Sequence, residues 1–292
     1  MKIAVYGKSF DRDFFSCIRD VFDKLRENDV EILVFRSFYD FLEEEVKYSP
    51  GIAGKFENYN EIPDDLDYFF SIGGDGTFLE TITFVRDSGV PIVGINSGRL
   101  GFLANISREE LTKSLDDIFQ KKYTLKERVL LKLEMADNPF EDFSYALNDV
   151  TIQKSDSTMI TIQTFVNDEL LNSYWADGLI ISTPTGSTAY SMSVGGPIVI
   201  PESHNFLISP IAPHNLTVRP VVIPDSNVLR LKVNGRSSKF IATVDSRSTE
   251  LDCNTELTVK RAEFKISILN LDYHNYYSTL RSKLMWGADK RN

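Results

Sequence analysis

Five residues, Gly73-Gly74-Asp75-Gly76-Thr77, constrain this chain more than any other stretch of it. They follow an apolar run, Tyr68 to Ile72, and precede Phe78, Leu79, Ile82 and Val85, which recur at helical spacing. The order is strand, glycine turn, helix. Glycines permit positive φ angles and a close approach of main chain to ligand, and the amides that open a helix favour an anion, so phosphate is the expected guest. Asp75 is the anomaly. A carboxylate among phosphate-facing amides repels phosphate unless it holds a metal ion or accepts a proton from a substrate hydroxyl. Both roles belong to phosphoryl transfer. Standing alone, the run would read as an ordinary tight turn with an Asp cap, and it takes a second motif to reverse those odds.

Strands and helices alternate around the turn. Lys2 to Tyr6 predicts a short buried strand ending at Gly7, and Phe14, Phe15, Ile18, Phe22 and Leu25 mark one face of a helix after it. Glu31 to Phe35 predicts a second strand and Phe38, Phe41 and Leu42 a second helix, followed by a long polar connection broken by Pro50-Gly51 and Gly54. Gly7 lacks the companion glycines of a dinucleotide fingerprint, which leaves the later turn as the candidate. Pro91 to Asn96 is a further strand. Such alternation implies an α/β domain with a parallel, Rossmann-like sheet, whose ligands gather at the strand carboxyl ends. The turns at 73 to 77 and 96 to 101 would share that edge.

Ser107 and Glu110 form a capping-box signature ahead of Leu111, Leu115, Ile118 and Phe119. Beyond that helix the period falls to two. Val129, Leu131, Leu133 and Met135 alternate with Leu130, Lys132 and Glu134, and Met159 to Val166, Val228 to Val233, Lys239 to Val244 and Phe264 to Leu269 continue the pattern. Asn167-Asp168 reads as a turn and Asn234-Gly235 as a hairpin signal. A β-rich, sandwich-like second domain is expected. Tyr276, Tyr277, Leu280 and Leu284 then mark a short helix, with Arg281 and Lys283 near its end, that returns to the first domain. The division expected is residues 1–126 with 270–292, and residues 127–269.

A net charge of -10 argues against a nucleic-acid or acidic-membrane partner, because both demand a basic footprint. A polyanionic substrate must then be met by amides, a few Lys or Arg, and a divalent cation. Cys17 and Cys253 match no metal spacing, and His204, His214 and His274 are too scattered for a zinc site. Met1 runs straight into a strand without an apolar signal core, and no stretch approaches the ~18 apolar residues of a membrane span. A cytoplasmic location is expected.

The second motif runs from Asp177 to Tyr190. It sets an acid, two glycines, Pro184 and the hydroxyl residues Ser182, Thr183, Thr185, Ser187 and Thr188 around a short apolar core, and continues to Ser193 and Gly195-Gly196-Pro197. Ser and Thr compete for backbone hydrogen bonds, so the cluster reads as turns and ligand-facing loop, offering donors to a polyhydroxylated or phosphorylated partner. Tyr190 adds a flat face for a base. On its own the run would be a Ser/Thr-rich turn with a core tyrosine.

Together the two motifs resemble the NAD kinase family, ATP-dependent enzymes that phosphorylate the 2′-hydroxyl of the adenosine ribose of NAD to give NADP. The resemblance spans nearly the whole chain and rests on Gly73 to Thr77, Asn96 to Leu103, Asn148-Asp149 and Asp177 to Tyr190. It implies Asp75 as general base or as a means of placing the metal, with Gly73, Gly74, Gly76 and Thr77 around the phosphates. It implies a dinucleotide site of Asp75, Gly76, Phe102, Asn148, Asp149, Asp177, Thr188, Ala189, Tyr190, Ser193 and Ala212. Phe102 would pack on adenine, Asn148 and Asp149 would hold ribose hydroxyls, and Asp177 would meet the nicotinamide end. A divalent ion, Mg2+, and ATP as donor follow, as does a homodimer or homotetramer with shared sites. The chain departs from the family at Asp149, where Glu is common, at Ser246-Arg247, where Gly-Gln is common, and at Trp175-Ala176, where a basic residue and glycine are common.

Two other readings compete. A diacylglycerol or sphingoid lipid kinase shares the glycine turn but sits badly with the acidic charge and the hydroxyl-rich run. A non-catalytic NAD sensor would bind dinucleotide without consuming ATP.

Overall fold

The computed structural model describes residues 1–98, 101–140 and 142–286. The chain forms two compact units, Met1–Glu127 with the segment from Ile266 onward, and Arg128–Lys265. No helix among the described residues is long and apolar enough to cross a membrane.

The first unit runs β1 (Lys2–Gly7), α1 (Phe15–Glu27), β2 (Glu31–Phe35), α2 (Arg36–Glu44), β3 (Gly54–Phe56), β4 (Tyr68–Gly73), α3 (Asp75–Val85), β5 (Ile92–Asn96) and α4 (Leu111–Phe119). The strands are parallel in the order β3-β2-β1-β4-β5. Alternate residues point to opposite faces of this sheet, and both faces are covered. Ile3, Val5, Phe70, Ile72, Val93 and Ile95 meet Ile18, Phe22, Phe38, Leu42, Leu115 and Ile118 from α1, α2 and α4. The intervening residues face α3: Phe69 stacks on Phe84, and Ser71 accepts the Thr81 hydroxyl at 2.9 Å. That double burial is why the strand sequences read as nearly unbroken apolar runs. Ser107 and Glu110 close the expected capping box, around a 3-10 turn that leads into α4.

The strand β6 (Tyr123–Glu134) carries the chain into the second unit. There follow β7 (Tyr145–Ala146), β8 (Asp149–Lys154), β9 (Ile160–Val166), β10 (Glu169–Ala176), β11 (Gly178–Ser182), α5 (Tyr190–Ser193), β12 (Asn205–Ile211), β13 (Val221–Pro224), β14 (Leu229–Gly235), β15 (Lys239–Val244) and β16 (Arg247–Asp252). The returning strand is β17 (Leu257–Leu271), and α6 (Tyr276–Leu284) ends the described chain. One antiparallel sheet has the order β13-β12-β11-β8-β15-β16. Another is built from β10, β9, β14 and the first part of β17. Val150, Ile152, Leu179, Ile181 and Phe240 of the former interdigitate with Ile160, Ile162, Leu229, Leu231 and Val233 of the latter, which makes the expected sandwich.

Asn167 and Asp168 both take positive φ, 48° and 69°, and turn β9 into β10 as expected. The hairpin expected at Asn234-Gly235 does not form. Both residues lie inside β14, paired with Thr161 and Ile160, and the strands on either side of the following turn belong to different sheets. In the first unit, Asn275 caps α6 by accepting the Tyr277 amide at 2.9 Å, and Leu280 buries the helix against its surroundings.

Candidate active site

The glycine turn is a strand-to-helix junction, as its sequence requires. Of its glycines only Gly73 has positive φ, at 157°; a side chain there would meet the Thr77 hydroxyl at 2.3 Å. Gly74 and Gly76 have ordinary backbone geometry, so the expected run of positive φ angles is not what they provide. They are exposed, with open space where a side chain would stand. The first amides of α3 are therefore uncovered, the arrangement that suits an anion.

Asp75 is half-buried at the first position of α3. Its Oδ2 accepts the Phe102 amide at 2.9 Å, and its Oδ1 accepts those of Leu103 and Ala104, each at 3.0 Å. The carboxylate thus holds the loop after β5 against the start of α3. Gly101 makes this approach possible, since a Cβ there would lie 1.9 Å from Asp75 Oδ1. The loop is also tied to β5, where Asn96 donates to the Ala104 carbonyl at 3.3 Å and accepts the Gly98 amide at 2.8 Å. Arg99 and Leu100 of this motif lie outside the described residues. Phe102 is half-buried, with its ring centroid 6.5 Å from that of Tyr276.

In the second unit the sheet containing β8 and β11 turns Val150, Ile152, Leu179 and Ile181 into the sandwich. Its other face carries the intervening residues Asp149, Thr151, Gln153 and Ser182. Thr151 donates to Asp149 Oδ1 at 2.9 Å, and Gln153 donates to the Tyr190 hydroxyl at 3.0 Å. Asp149 and Tyr190, both expected at the dinucleotide, are thus held by residues of one strand face. Tyr190 itself is exposed. Asn148 is half-buried, and its carboxamide makes no hydrogen bond among the described residues.

Asp245 fastens this pair from a turn almost a hundred residues away. Its Oδ2 accepts the Leu147 amide at 2.8 Å and its Oδ1 those of Asn148 and Asp149 at 2.8 and 3.2 Å. The residue as a whole is half-buried, but its carboxylate is turned onto these three amides, and the burial of that group governs its titration. Burial pushes Asp245 up to about 6, opposed by the three amides and by Arg247. Burial pushes Asp149 up to about 7, opposed by one hydroxyl, from Thr151, and reinforced by the charge of Asp245. Asp245, which has more donors, is the more readily ionised of the two. Arg247, one of the departures from the family pattern, donates to the carbonyls of Phe143 and Tyr145 and braces the segment before Asn148.

The hydroxyl-rich run differs from its expected form. Gly178 to Ser182 is a buried strand inside the sheet, and the hydroxyls beyond it are largely spent on the protein. Thr183 donates to the Leu147 carbonyl, Ser187 bonds the Val199 carbonyl and amide at 3.1 and 3.0 Å, and Thr188 donates to Thr185 at 3.3 Å. Thr185 Oγ1 is buried without a hydrogen-bond partner among the described residues. Gly186 packs on Asn148, where a Cβ would lie 2.1 Å from the carbonyl oxygen. What the run presents outward is a rim of half-buried Thr188 and Ala189 with exposed Tyr190 and Ser193. Ala212 is exposed at a strand end with φ 43°.

Asp177 is placed differently. It follows the parity of Leu179 and Ile181, not that of Asp149 and Gln153, and so leaves the sheet on the opposite side. There its Oδ1 pairs with Lys154 Nζ at 2.7 Å.

Sequence reasoning did not find Thr151, Gln153, Lys154 or the clamp made by Asp245. The signal for the first two was present, as polar residues alternating with Val150 and Ile152. Among the described residues no group of three or more His, Cys, Asp or Glu could hold a metal ion. The donor set fits an ion bound chiefly through substrate phosphates, not a protein cage.

Residues 43–123 match the family model of the ATP-NAD kinase N-terminal domain, and residues 147–271 that of the ATP-NAD kinase C-terminal domain. The chain is 45% identical over 293 residues to an NAD kinase of Cytophaga hutchinsonii, covering all of both chains. It is 44% identical over 292 residues to one of Bacteroides fragilis, again covering all of both. Among solved structures, yeast NADH kinase complexed with NADH aligns with TM-score 0.85 at 22% identity, over 100% of this chain and 89% of that one. An NAD kinase from Archaeoglobus fulgidus in complex with ATP aligns with TM-score 0.76 at 23% identity, over 98% and 99%. These two likenesses show the shared fold.

Proposed function

The chain belongs to the ATP-NAD kinase family, and from that premise we propose how its residues divide the work of the reaction. The enzyme transfers the γ-phosphate of ATP to the 2′-hydroxyl of the adenosine ribose of NAD, giving NADP. Phosphoryl transfer has a loose transition state, so the protein's task is to align the attacking hydroxyl with the phosphate and to stabilise spread charge. The uncovered amides of Gly74 and Gly76 at the start of α3, beside Gly73 and Thr77, take the phosphates. A divalent ion such as Mg2+ would be held through the phosphates of ATP, beside Asp75, and would neutralise phosphate charge.

Asp75 orients the 2′-hydroxyl and accepts its proton. The observation that carries this is the uneven use of its carboxylate. An ionised carboxylate has about four acceptor positions. Oδ1 spends two on Leu103 and Ala104, whereas Oδ2 spends one on Phe102 and, among the described residues, keeps one open. Oδ2 is fixed in direction by the three amides the carboxylate already holds, which is the preorganisation a positioned base needs.

Asn148 and Asp149 bind the ribose hydroxyls, and Phe102, Thr188, Ala189, Tyr190, Ser193 and Ala212 line the dinucleotide. Asp177 meets the nicotinamide end. Its emergence on the sheet side opposite Asp149 supports shared sites in a homodimer or homotetramer, in which Asp177 serves a dinucleotide bound to a neighbouring copy.

Asp75→Asn tests the central assignment. Removing a base of this kind should lower kcat by ~10²- to 10⁴-fold, about 3 to 5 kcal/mol in the barrier, in a protein that still folds. Hydrogen exchange at the amides of 102 to 104 reads the loss of the loop anchor separately from turnover. Turnover within threefold of the parent, a difference of roughly 0.7 kcal/mol, would remove Asp75 from the chemistry.

A further inference from the structure

Lys154, the last residue of β8, faces Asp177 across the ladder to β11. Its amide donates to the Asp177 carbonyl at 3.0 Å, and its ammonium lies 2.7 Å from the carboxylate. The two side chains are 27% and 35% exposed, so the pair sits at a rim open to water. The other acid near Lys154 is already engaged: Asp156 Oδ1 accepts both the amide and the hydroxyl of Thr158 at 2.7 Å. Trp175, two residues before Asp177, is half-exposed and packs on His214 with ring centroids 4.3 Å apart, adding a flat surface without formal charge. Asp156 keeps its own charge, which Lys154 also meets, but the ammonium's direct contact is with Asp177, so at that carboxylate one negative charge faces one positive.

The two redox forms of the dinucleotide differ there in one respect that matters. The oxidised nicotinamide ring carries a positive charge and the reduced ring carries none. A carboxylate standing alone would favour the oxidised form, whereas a carboxylate cancelled by an ammonium would not. We propose that Lys154 is a specificity-determining residue, which by pairing with Asp177 removes the carboxylate's preference for the cationic ring and lets the enzyme accept oxidised and reduced dinucleotide on nearer terms. The proposal rests on the reading that Asp177 meets the nicotinamide end.

The test is the ratio of kcat/KM for NAD+ to that for NADH, measured at pH 8 and low salt on one preparation of each variant. A folding defect lowers both values and cancels in the ratio. Lys154→Gln should raise the ratio about threefold to tenfold, as expected for one unscreened charge at a partly exposed site. Asp177→Asn should lower it by a similar factor, Lys154→Arg should leave it near the parent value, and the double variant Lys154→Gln/Asp177→Asn should return towards the parent. The shifts should shrink in high salt. If Asp177→Asn lowers the ratio and Lys154→Gln leaves it unchanged, the placement of Asp177 stands and the role of Lys154 is overturned. If Asp177→Asn changes neither the ratio nor either KM, the placement of Asp177 fails and takes the proposal with it.

Discussion

Replacing Asp149 by Asn should make the enzyme more stable at alkaline pH and not at acid pH. Asp149 is 6% exposed, and burial holds its carboxyl up to about 7, against 3.8 for an ordinary aspartate. Between those two values the folded state binds a proton that the unfolded chain has lost, so stability falls as pH rises. The contribution is intact below about pH 4, declines through the interval, and is fully lost above about pH 7. A raised pKa of this size corresponds to about 4 kcal/mol at pH 8, from ~1.4 kcal/mol per pH unit. Asparagine is close to the protonated acid in shape and charge, and its amide oxygen can still accept from Thr151. It avoids burying a charge beside Asp245. We expect Asp149→Asn to gain about 2 to 4 kcal/mol at pH 8, and less than about half of that at pH 5. Urea unfolding at pH 5, 6, 7 and 8, followed by circular dichroism, gives the profile for both proteins. Parallel profiles, or a variant less stable at pH 8, would show that Asp149 is not the group that titrates here.

Two further substitutions probe the loops that the carboxylates hold. Gly101→Ala forces a methyl group to within 1.9 Å of Asp75 Oδ1, so the carboxylate must move. Turnover should fall by about tenfold or more, in line with the cost of sub-ångström misplacement, and exchange at the amides of 102 to 104 should accelerate. Gly51→Ala, at a site with open space, serves as the control. Asp245→Asn puts an NH2 group against one of three inward amides, which should cost about 1.5 to 3 kcal/mol and raise the KM for NAD more than it lowers kcat. An unchanged urea midpoint would mean that the three amides find other partners.

The sequence made the first unit readable because its signals are local. Tyr68 to Ile72 is apolar but for Ser71, Gly73 follows at once, and Ser107 with Glu110 writes its own cap. Gly54–Phe56 escaped because three residues at a sheet edge carry too little pattern to stand out from a polar loop. In the second unit the alternation within Met159 to Val166 was legible, and so was the Asn167-Asp168 turn. Asn234-Gly235 misled because a hairpin signal says nothing about which sheet the next strand will join, and β14 and β15 join different ones. The hydroxyl run misled for a related reason. Composition shows how many donors a segment owns, but not that Thr183 and Ser187 spend theirs on Leu147 and Val199. The site residues that went unseen share this origin: nothing within a window around Asp245 points to the amides of 147 to 149.

The clamps made by Asp75 and Asp245 are the same device used twice. In each, one carboxylate oxygen takes the first of three consecutive amides and the other takes the next two: Phe102, then Leu103 and Ala104; Leu147, then Asn148 and Asp149. Three successive N–H groups converging on one point make a concavity that fits an anion, and here the anion is a side chain. The held segments are those proposed to touch the dinucleotide. Phe102 to Ala104 and Leu147-Asn148 lie outside the strands and helices, so no regular ladder satisfies these amides, and a charge-assisted contact of about 1.5 to 3 kcal/mol is an effective substitute. The copies differ in access. The Asp245 carboxylate is enclosed and can only support, whereas half-buried Asp75, at the first position of α3, keeps one acceptor position among the described residues. An acid placed to hold a loop thereby becomes one that can also take a proton. That explains why a negative charge belongs in a turn whose amides otherwise call for phosphate.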